Sequence, residues 1–193
     1  MLKRRLAIII SLLIFFMGAA TSAQAVDIFI SADAIKGESS SRNYVDKIEV
    51  NSFNLEIKTS PVAGGSGGGR ASSKASFPAF KVTKVIDQSS NPILTSLVTG
   101  KTIKSFVVDF VRADGAGRAD GAASAFVYLR YTFSDVIASE YSITVDKEDG
   151  ERGLETIGFV YSKISIDYTF QDVTGKRVSG PKFGFDVSAN RLL

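Results

Sequence analysis

The chain has 193 residues and a formal charge of +3, and it contains neither cysteine nor histidine. It therefore forms no disulfides, cannot use the Ser-His-Asp or Cys-His arrangements of many hydrolases, and lacks the commonest zinc ligand. This length is enough for one domain with an ordinary hydrophobic core, and the composition points away from an enzyme, a metal site or a cofactor site.

The first 25 residues have the three parts of a secretory signal. Lys3, Arg4 and Arg5 form a basic start and residues 6–20 are almost continuously apolar, while Ala23 and Ala25 are small residues where signal peptidase acts. A retained membrane anchor stays open as an alternative, although the apolar run is shorter than the roughly 20 residues of a comfortable span. We expect cleavage after Ala25.

The charge excess lies wholly in this leader. Residues 1–25 contain three basic residues and no acidic one, so residues 26–193 hold 20 residues of each sign. A net charge near zero gives no reason to expect a nucleic-acid partner or attachment to a membrane after cleavage. We expect a signal peptide over residues 1–25 and one exported domain over residues 26–193, periplasmic or extracellular.

The domain opens with strands whose apolar residues alternate with period two. The first strand faces inward with Ile28, Ile30 and Ala32, and the second with Ile48 and Val50. The apolar phase then shifts at Asn51-Ser52, so that the next inward positions are Phe53, Leu55 and Ile57. A shift of one residue predicts a β-bulge or a change of sheet.

Residues 59–76, the Gly-rich arm, are the only low-complexity part of the chain. The arm lacks the Gly-Lys-Ser/Thr ending of a phosphate-binding loop, which argues against a nucleotide site. Two interpretations stay open: a mobile hairpin loop, or an arm that a neighbouring subunit orders. For the second, the candidate contact residues are Gly64, Gly65, Gly67, Gly68, Gly69 and Arg70.

One short helix is predicted after a strand at residues 80–86. Asn91 is a suitable N-cap, Pro92 a suitable first residue, and Gly100 is placed to end the helix in a left-handed conformation. The apolar residues expected to share its inward face are Ile93, Leu94, Leu97 and Val98.

Further strands follow to the end of the chain. The longest covers residues 125–145, a second phase shift at Ser162-Lys163 predicts another bulge, and a last short strand lies around residues 183–187. About seven strands, two phase shifts and one helix predict a mainly β fold: a closed or nearly closed antiparallel β-barrel with one short side helix.

No segment offers a convincing catalytic or metal site. Residues 114–121 resemble a calcium loop but lack its ligand spacing and its bidentate Glu, so they are interpreted as a hairpin turn. The best carboxylate pairs are Glu148 with Asp149, and Glu151 with Glu155. All four lie in or beside a charged turn where we expect them to be solvated, so no catalytic residue is assigned.

An ordered set of stretches resembles the haemolysin-coregulated protein (Hcp) family, the inner-tube proteins of type VI secretion systems. The matching stretches are VDIFI at 26–30, IKGES at 35–39, DKIEV at 46–50, the Gly-rich arm, Thr83-Lys84 with Asp87, Ser89-Ser90, Gly100-Lys101, IDY at 166–168, Gly180-Pro181, Gly184 and Asn190. The resemblance implies a β-barrel monomer, a homo-hexameric ring, and head-to-tail stacking into a tube whose lumen can carry secreted effectors.

The chain departs from the family pattern at several positions. Tyr44 stands where the family often has His, Phe53 and Leu55 replace two customary Trp residues, and Asn91-Pro92 inverts and lengthens the usual Ser/Thr-Pro entry to the helix. A leader is also unusual, because tube subunits assemble in the cytoplasm. The resemblance implies a structural ring-forming protein with itself, effectors and other type VI components as partners; the alternative is an exported cargo-binding or adhesin-like ring outside the injection tube.

Overall fold

The computed structural model describes residues 26–59, 74–113, 125–145 and 153–193. The predictions for the leader with its cleavage residues Ala23 and Ala25, for the calcium-like turn, and for most of the Gly-rich arm lie outside these ranges. So do the remaining candidate residues, namely Gly64, Gly65, Gly67, Gly68, Gly69, Arg70, Glu148, Asp149 and Glu151.

Eleven β-strands and one α-helix form in the described ranges, with three short strands where one was expected at the end of the chain. In order they are β1 (Val26–Ala32), β2 (Ile48–Val50), β3 (Ser52–Asn54), β4 (Phe80–Val85), α1 (Ser90–Thr99), β5 (Ile103–Ala113), β6 (Ala125–Thr144), β7 (Leu154–Val160), β8 (Lys163–Gln171), β9 (Arg177–Ser179), β10 (Phe183–Asp186) and β11 (Arg191–Leu192).

All strand pairs are antiparallel, and β6 joins two parts of the sheet. The larger part has the order β11-β10-β8-β6-β5-β1-β2, with β9 added to β8. The smaller part runs β3-β4-β7-β6. The first half of β6 pairs with β5 and β8, whereas its second half pairs with β7. A strand of 20 residues can serve both parts because it extends by about 3.3 Å per residue.

The phase shift at Asn51-Ser52 is a change of sheet. β2 pairs with β1, β3 pairs with β4, and between them the Asn51 N–H donates to the carbonyl oxygen of Thr83 at 2.8 Å. The ladders do not close into a ring at this point. The mainly β, antiparallel fold with one short helix is therefore confirmed. Of the two predicted forms, a closed or a nearly closed barrel, the closed one is wrong because the sheet is not closed.

The shift at Ser162-Lys163 is a strand break and not the bulge that the sequence predicts. Ile137 pairs with Val160, and Ser134 pairs with Lys163 farther along the same edge of β6. The residue numbers of both pairs have the same sum, so the register continues across the break. The break lies opposite Asp135, whose positive φ of 50° bends β6 there. The actual register shifts lie elsewhere, at Phe110/Val111 and at Ala138/Glu140.

Aromatic rings fill the core between the two parts of the sheet. Phe53 lies 5.6 Å from Phe80, 5.4 Å from Phe110 and 5.2 Å from Tyr131, measured between ring centroids. Such offset and edge-on contacts stabilise a core beyond the area they bury. The fully buried apolar side chains are Phe80, Phe106, Val108, Phe133, Val136, Ile157, Phe159 and Ile164.

Helix α1 begins earlier than the sequence predicts. Its N-cap is Ser89 and not Asn91, and the side chain of Ser89 does not cap the helix. The carboxylate of Asp87 takes that place, because its Oδ1 accepts the N–H of Ser89 at 2.9 Å. Pro92 costs no hydrogen bond within the first turn. The predicted end is confirmed, since Gly100 adopts a left-handed φ of 66°.

The inward face of α1 also differs from the predicted one. Ile93 and Ser96 are buried and Leu97 packs against the core, but Val98 is 76% exposed. Val98 lies about 140° around the helix axis from Ile93, which turns it to solvent. The Ser96 hydroxyl is satisfied at this interface because it donates to the carbonyl oxygen of Lys101 at 2.5 Å.

Candidate functional site

A buried charge cluster joins β4, α1, β6 and β7, and we call it the Lys84 network. The Lys84 ammonium lies 2.6 Å from Oδ1 of Asp87 and 2.7 Å from Oε1 of Glu155, and it donates to the carbonyl oxygen of Val85 at 3.0 Å. The Ser90 hydroxyl donates to Oε1 of Glu155 at 2.8 Å. Every charged member therefore has several polar partners, as buried charges require.

The sequence analysis expects Glu155 to be solvated in or beside a charged turn, and this expectation is wrong. It is 0% exposed, it lies beside Lys84, and it also accepts the Tyr141 hydroxyl at 3.0 Å. The alternation of β7 turns its side chain inward, in register with Lys84 of β4. Burial, followed by the hydrogen bond to Glu155, raises the pKa of Tyr141. An enclosed cluster with satisfied groups holds the helix entry in place and offers no surface to a substrate.

A groove lies on the outer face of β1, β5 and β6, and we call it the outer groove. Its volume is about 800 Å³. The loop before β2 covers one side of it, where the Tyr44 ring stacks on Phe29 with centroids 4.2 Å apart and planes 8° apart. The groove is also lined by Asp27, Arg42, Lys47, Asp109, Val111, Val127 and Arg130.

An ion pair forms the floor of the outer groove. Asp109 accepts Nε and Nη2 of Arg130 at 2.6 and 2.7 Å, and it accepts the Tyr44 hydroxyl at 3.3 Å. The hydrogen bond to Asp109 raises the pKa of Arg130. Burial, followed by the charge of Asp109, raises the pKa of Tyr44 to about 12. Tyr44 thus links the covering loop to the sheet.

The pair belongs to a row of alternating charges that crosses three strands and ends just before β10. Asp109 of β5 lies opposite Arg130 of β6, which lies opposite Asp167 of β8. Lys182, just before β10, pairs with Asp167 at 2.9 Å. Cross-strand pairs of opposite charge stabilise the neighbouring strands. The sequence analysis did not identify this row, since pairing between strands far apart in sequence leaves no local pattern.

A second surface is apolar and lies at one end of β8. Tyr168 and Phe170 are stacked with centroids 6.1 Å apart, yet they are 44% and 36% exposed. They continue the face that Ile164 and Ile166 present to the core. Nearby, Phe183 of β10 is 37% exposed. Exposed aromatic groups that extend a core are typical of an interaction surface.

The described ranges contain no group of carboxylates that could hold a metal ion. In the same ranges, no helix has both the length and the hydropathy needed to span a bilayer.

The comparisons with known proteins agree with this architecture. Residues 29–168 match the sequence model of a family described as "Type VI secretion system effector, Hcp". The chain is 27% identical over 168 residues to Protein hcp1 of Pseudomonas aeruginosa, covering 86% of this chain and 98% of that one. The matched stretch exceeds half of the chain.

Solved structures show the same fold. A type six secretion system protein superposes with a TM-score of 0.76 at 25% identity, covering 88% of this chain and all of that one. Hcp1 of Salmonella typhimurium superposes with a TM-score of 0.65 at 24% identity, covering 88% of this chain and 99% of its own. The curled sheet with one side helix is thus a fold found in type VI secretion proteins.

The chain belongs to the Hcp family of type VI secretion tube proteins. That family consists of secreted structural proteins. The entry to the helix on which the family resemblance partly rests (Thr83-Lys84, Asp87 and Ser89-Ser90) is the part of the chain that builds the Lys84 network.

Proposed function

We propose that residues 26–193 assemble into a homo-hexameric ring, that the rings stack head to tail, and that their lumen accommodates secreted effector proteins. Membership in the Hcp family supports this assembly. The observation that carries it is the exposed stack of Tyr168 and Phe170 on the core-facing side of β8. A neighbouring subunit would remove this apolar surface from water, at about 25 cal/mol for each Å² buried.

The Gly-rich arm is the proposed contact between rings. Ring closure and ring stacking need two different surfaces on each subunit, because each contact is heterologous. The bridge between Lys58 and Ser76 fixes the base of the arm, and Phe77 stacks on Phe185 of β10 with ring centroids 4.8 Å apart. The described base of the arm therefore lies beside β10, near one edge of the larger part of the sheet.

We also propose that the leader is removed after Ala25 and that the protein acts outside the cytoplasm. The basic, apolar and small-residue parts of residues 1–25 support export. This feature favours the second candidate function, an exported cargo-binding or adhesin-like ring that works apart from the injection tube. In that case the same ring forms after export rather than before injection.

Two measurements test the ring and the leader. Native mass spectrometry and negative-stain microscopy of residues 26–193 should show six-membered rings and their stacks; a monomer at high concentration contradicts the proposal. Intact-mass measurement of protein from the producing cell should give a chain that begins at Val26. A mass that still includes residues 1–25 indicates an anchor and contradicts export of a free ring.

A shortened variant tests the arm. Replacing Gly64, Gly65, Gly67, Gly68, Gly69 and Arg70, with the intervening residue, by a two-residue turn should leave closed rings and abolish stacks. Stacks of the usual length in this variant show that the arm is not the contact between rings.

A further inference from the structure

The outer groove presents cationic side chains that pair with no residue in the described ranges. The Arg42 and Lys47 side chains line the groove and form neither an ion pair nor a hydrogen bond with any described residue. Among the described lining residues, Asp27 is the one carboxylate besides Asp109, which is already bound by Arg130. The lining therefore has three cationic and two anionic side chains, and the excess charge is positive.

Besides its positive charge, Arg130 offers N–H groups that donate hydrogen bonds in fixed directions. Its guanidinium has five N–H groups, of which two are directed to Asp109, and its side chain is 46% exposed. The remaining donors can receive a second carboxylate in the plane of the guanidinium. Apolar lining from Val111 and Val127 lowers the local dielectric, so a charge contact in the groove is stronger than one on an open surface.

The chain supplies a segment of matching chemistry. The segment between β6 and β7, for which the sequence predicts a turn, carries four carboxylates within six residues, Asp146, Glu148, Asp149 and Glu151. Residues 26–193 are neutral overall, so this local acidic excess is matched by basic excess elsewhere on the same molecule. A volume of about 800 Å³ is of the size that takes a short peptide segment.

We propose that the outer groove of one subunit binds the acidic turn (residues 146–151) of a second copy, with Arg42, Lys47 and Arg130 as the residues that receive its carboxylates. The inference rests on the proposed assembly and names a contact within it. Groove and turn are different surfaces, so the contact is heterologous and repeats from one subunit to the next. Because the contact is electrostatic, salt weakens it.

Charge reversal on each side tests the contact. The groove variant is Arg42→Glu with Lys47→Glu, and the turn variant is Glu148→Lys with Asp149→Lys. Each variant alone should need on the order of tenfold more protein to assemble at physiological salt, measured by sedimentation velocity and native mass spectrometry. An equal mixture should assemble again, with the two variants alternating, because each reversed groove then meets a reversed turn and each unaltered groove meets an unaltered turn. Lys101→Glu with Lys176→Glu, exposed and outside the groove, is the matched control and should assemble like the wild type.

The outcomes separate this proposal from the proposed ring. If the wild type assembles and the groove variant assembles equally well, the groove contact is wrong and the ring stands; a contact between groove and turn within one chain gives this same result. Failure of the mixture to assemble also overturns the groove contact. If the wild type is monomeric, the proposed ring is wrong, and the groove contact within it is wrong as well.

A peptide-binding experiment tests the groove without requiring the protein to assemble. A synthetic peptide of residues 145–153 is titrated into the wild type and into the groove variant by isothermal titration calorimetry at low salt. Binding to the wild type and not to the variant supports the groove as the receiving surface. Absent or equal binding overturns it, and urea denaturation of the variants shows whether they are folded.

Discussion

The Lys84 network and the Asp109–Arg130 pair combine the same kinds of group, a carboxylate, a cation and a tyrosine hydroxyl, in two different environments. In each, a carboxylate accepts hydrogen bonds from a cation and from a tyrosine hydroxyl. The Lys84 side chain is 1% exposed, whereas that of Arg130 is 46% exposed. In the network every partner comes from the protein itself, but Arg130 still has donors that face solvent.

This difference separates a group that fixes the fold from a group that can recognise a partner. Removing two ions from water costs several kcal/mol each, and the protein recovers this only through good geometry and further hydrogen bonds. The Lys84 network does so by joining four elements, so it determines where α1 begins. The groove pair keeps its carboxylate buried and its cation half exposed, which leaves an electrostatic surface for a second copy.

The largest expected effect follows from removing the cation of the buried network. Lys84→Ala leaves the carboxylates of Asp87 and Glu155 inside the protein without a counter-charge, so we expect a loss of about 3–5 kcal/mol of unfolding free energy. Urea denaturation measures it. The control is Lys104→Ala, whose pair with Asp135 is exposed and should contribute little to the free energy of unfolding. Similar losses for both variants would show that burial does not distinguish them.

An apolar contact of the same helix should have a somewhat smaller effect. Ile93 is 2% exposed, and Ile93→Ala should cost about 3 kcal/mol through lost burial and the cavity left behind. Val98→Ala removes a similar side chain that is 76% exposed and should hardly change the denaturation midpoint. If the two midpoints fall together, α1 does not pack through the face described above.

Breaking the Asp109–Arg130 ion pair should lower the free energy of unfolding by less than either of these changes. Arg130→Ala leaves the buried carboxylate of Asp109 with the Tyr44 hydroxyl alone, but water can enter the groove, so we expect about 1–2 kcal/mol. Arg130→Lys should recover only part of this, because an ammonium cannot make the two parallel hydrogen bonds of a guanidinium. Denaturation of the three proteins measures it, and a loss as large as that of Lys84→Ala contradicts the distinction between the two sites.

The features that sequence could predict are those with local causes. Period-two alternation predicted the strands, and the phase shift at Asn51-Ser52 predicted the change of sheet. Gly100 predicted the end of α1 because few other residues adopt its backbone conformation readily. The sequence predicts the N-cap of α1 two residues too late, at Asn91 instead of Ser89. The group that accepts the Ser89 N–H is the carboxylate of Asp87, which lies outside the helix and is itself held by Lys84.

The two charge sites could not be predicted from the sequence alone. Lys84 alternates with Phe80 and Val82 on an inward face, and a lysine at such a position is the one local signal of the network. Its partner Glu155 lies about 70 residues away. Asp109 and Arg130 meet only through the register of β5 and β6, and Tyr44 reaches them from a loop, so no spacing in the chain indicates the groove.

The smallest expected effect concerns the pH dependence of the hydroxyl that links the covering loop to the groove. Burial and the neighbouring Asp109 raise the pKa of Tyr44 from 10.0 to about 12, which means that the folded protein holds this proton more tightly than the unfolded chain. The contribution to stability is therefore complete below pH 10 and is lost as the pH rises to about 12. Tyr44→Phe keeps the stack on Phe29 but removes the titrating group, so the fall in stability across this window should be shallower than in the wild type. Urea midpoints measured between pH 9 and 12, at roughly half-unit steps, test this. Tyr161, whose pKa burial also raises to about 12, is unchanged in this variant and accounts for part of the remaining slope. Equal slopes in the two proteins would show that the Tyr44 hydroxyl titrates as it does in water and does not link the loop to Asp109.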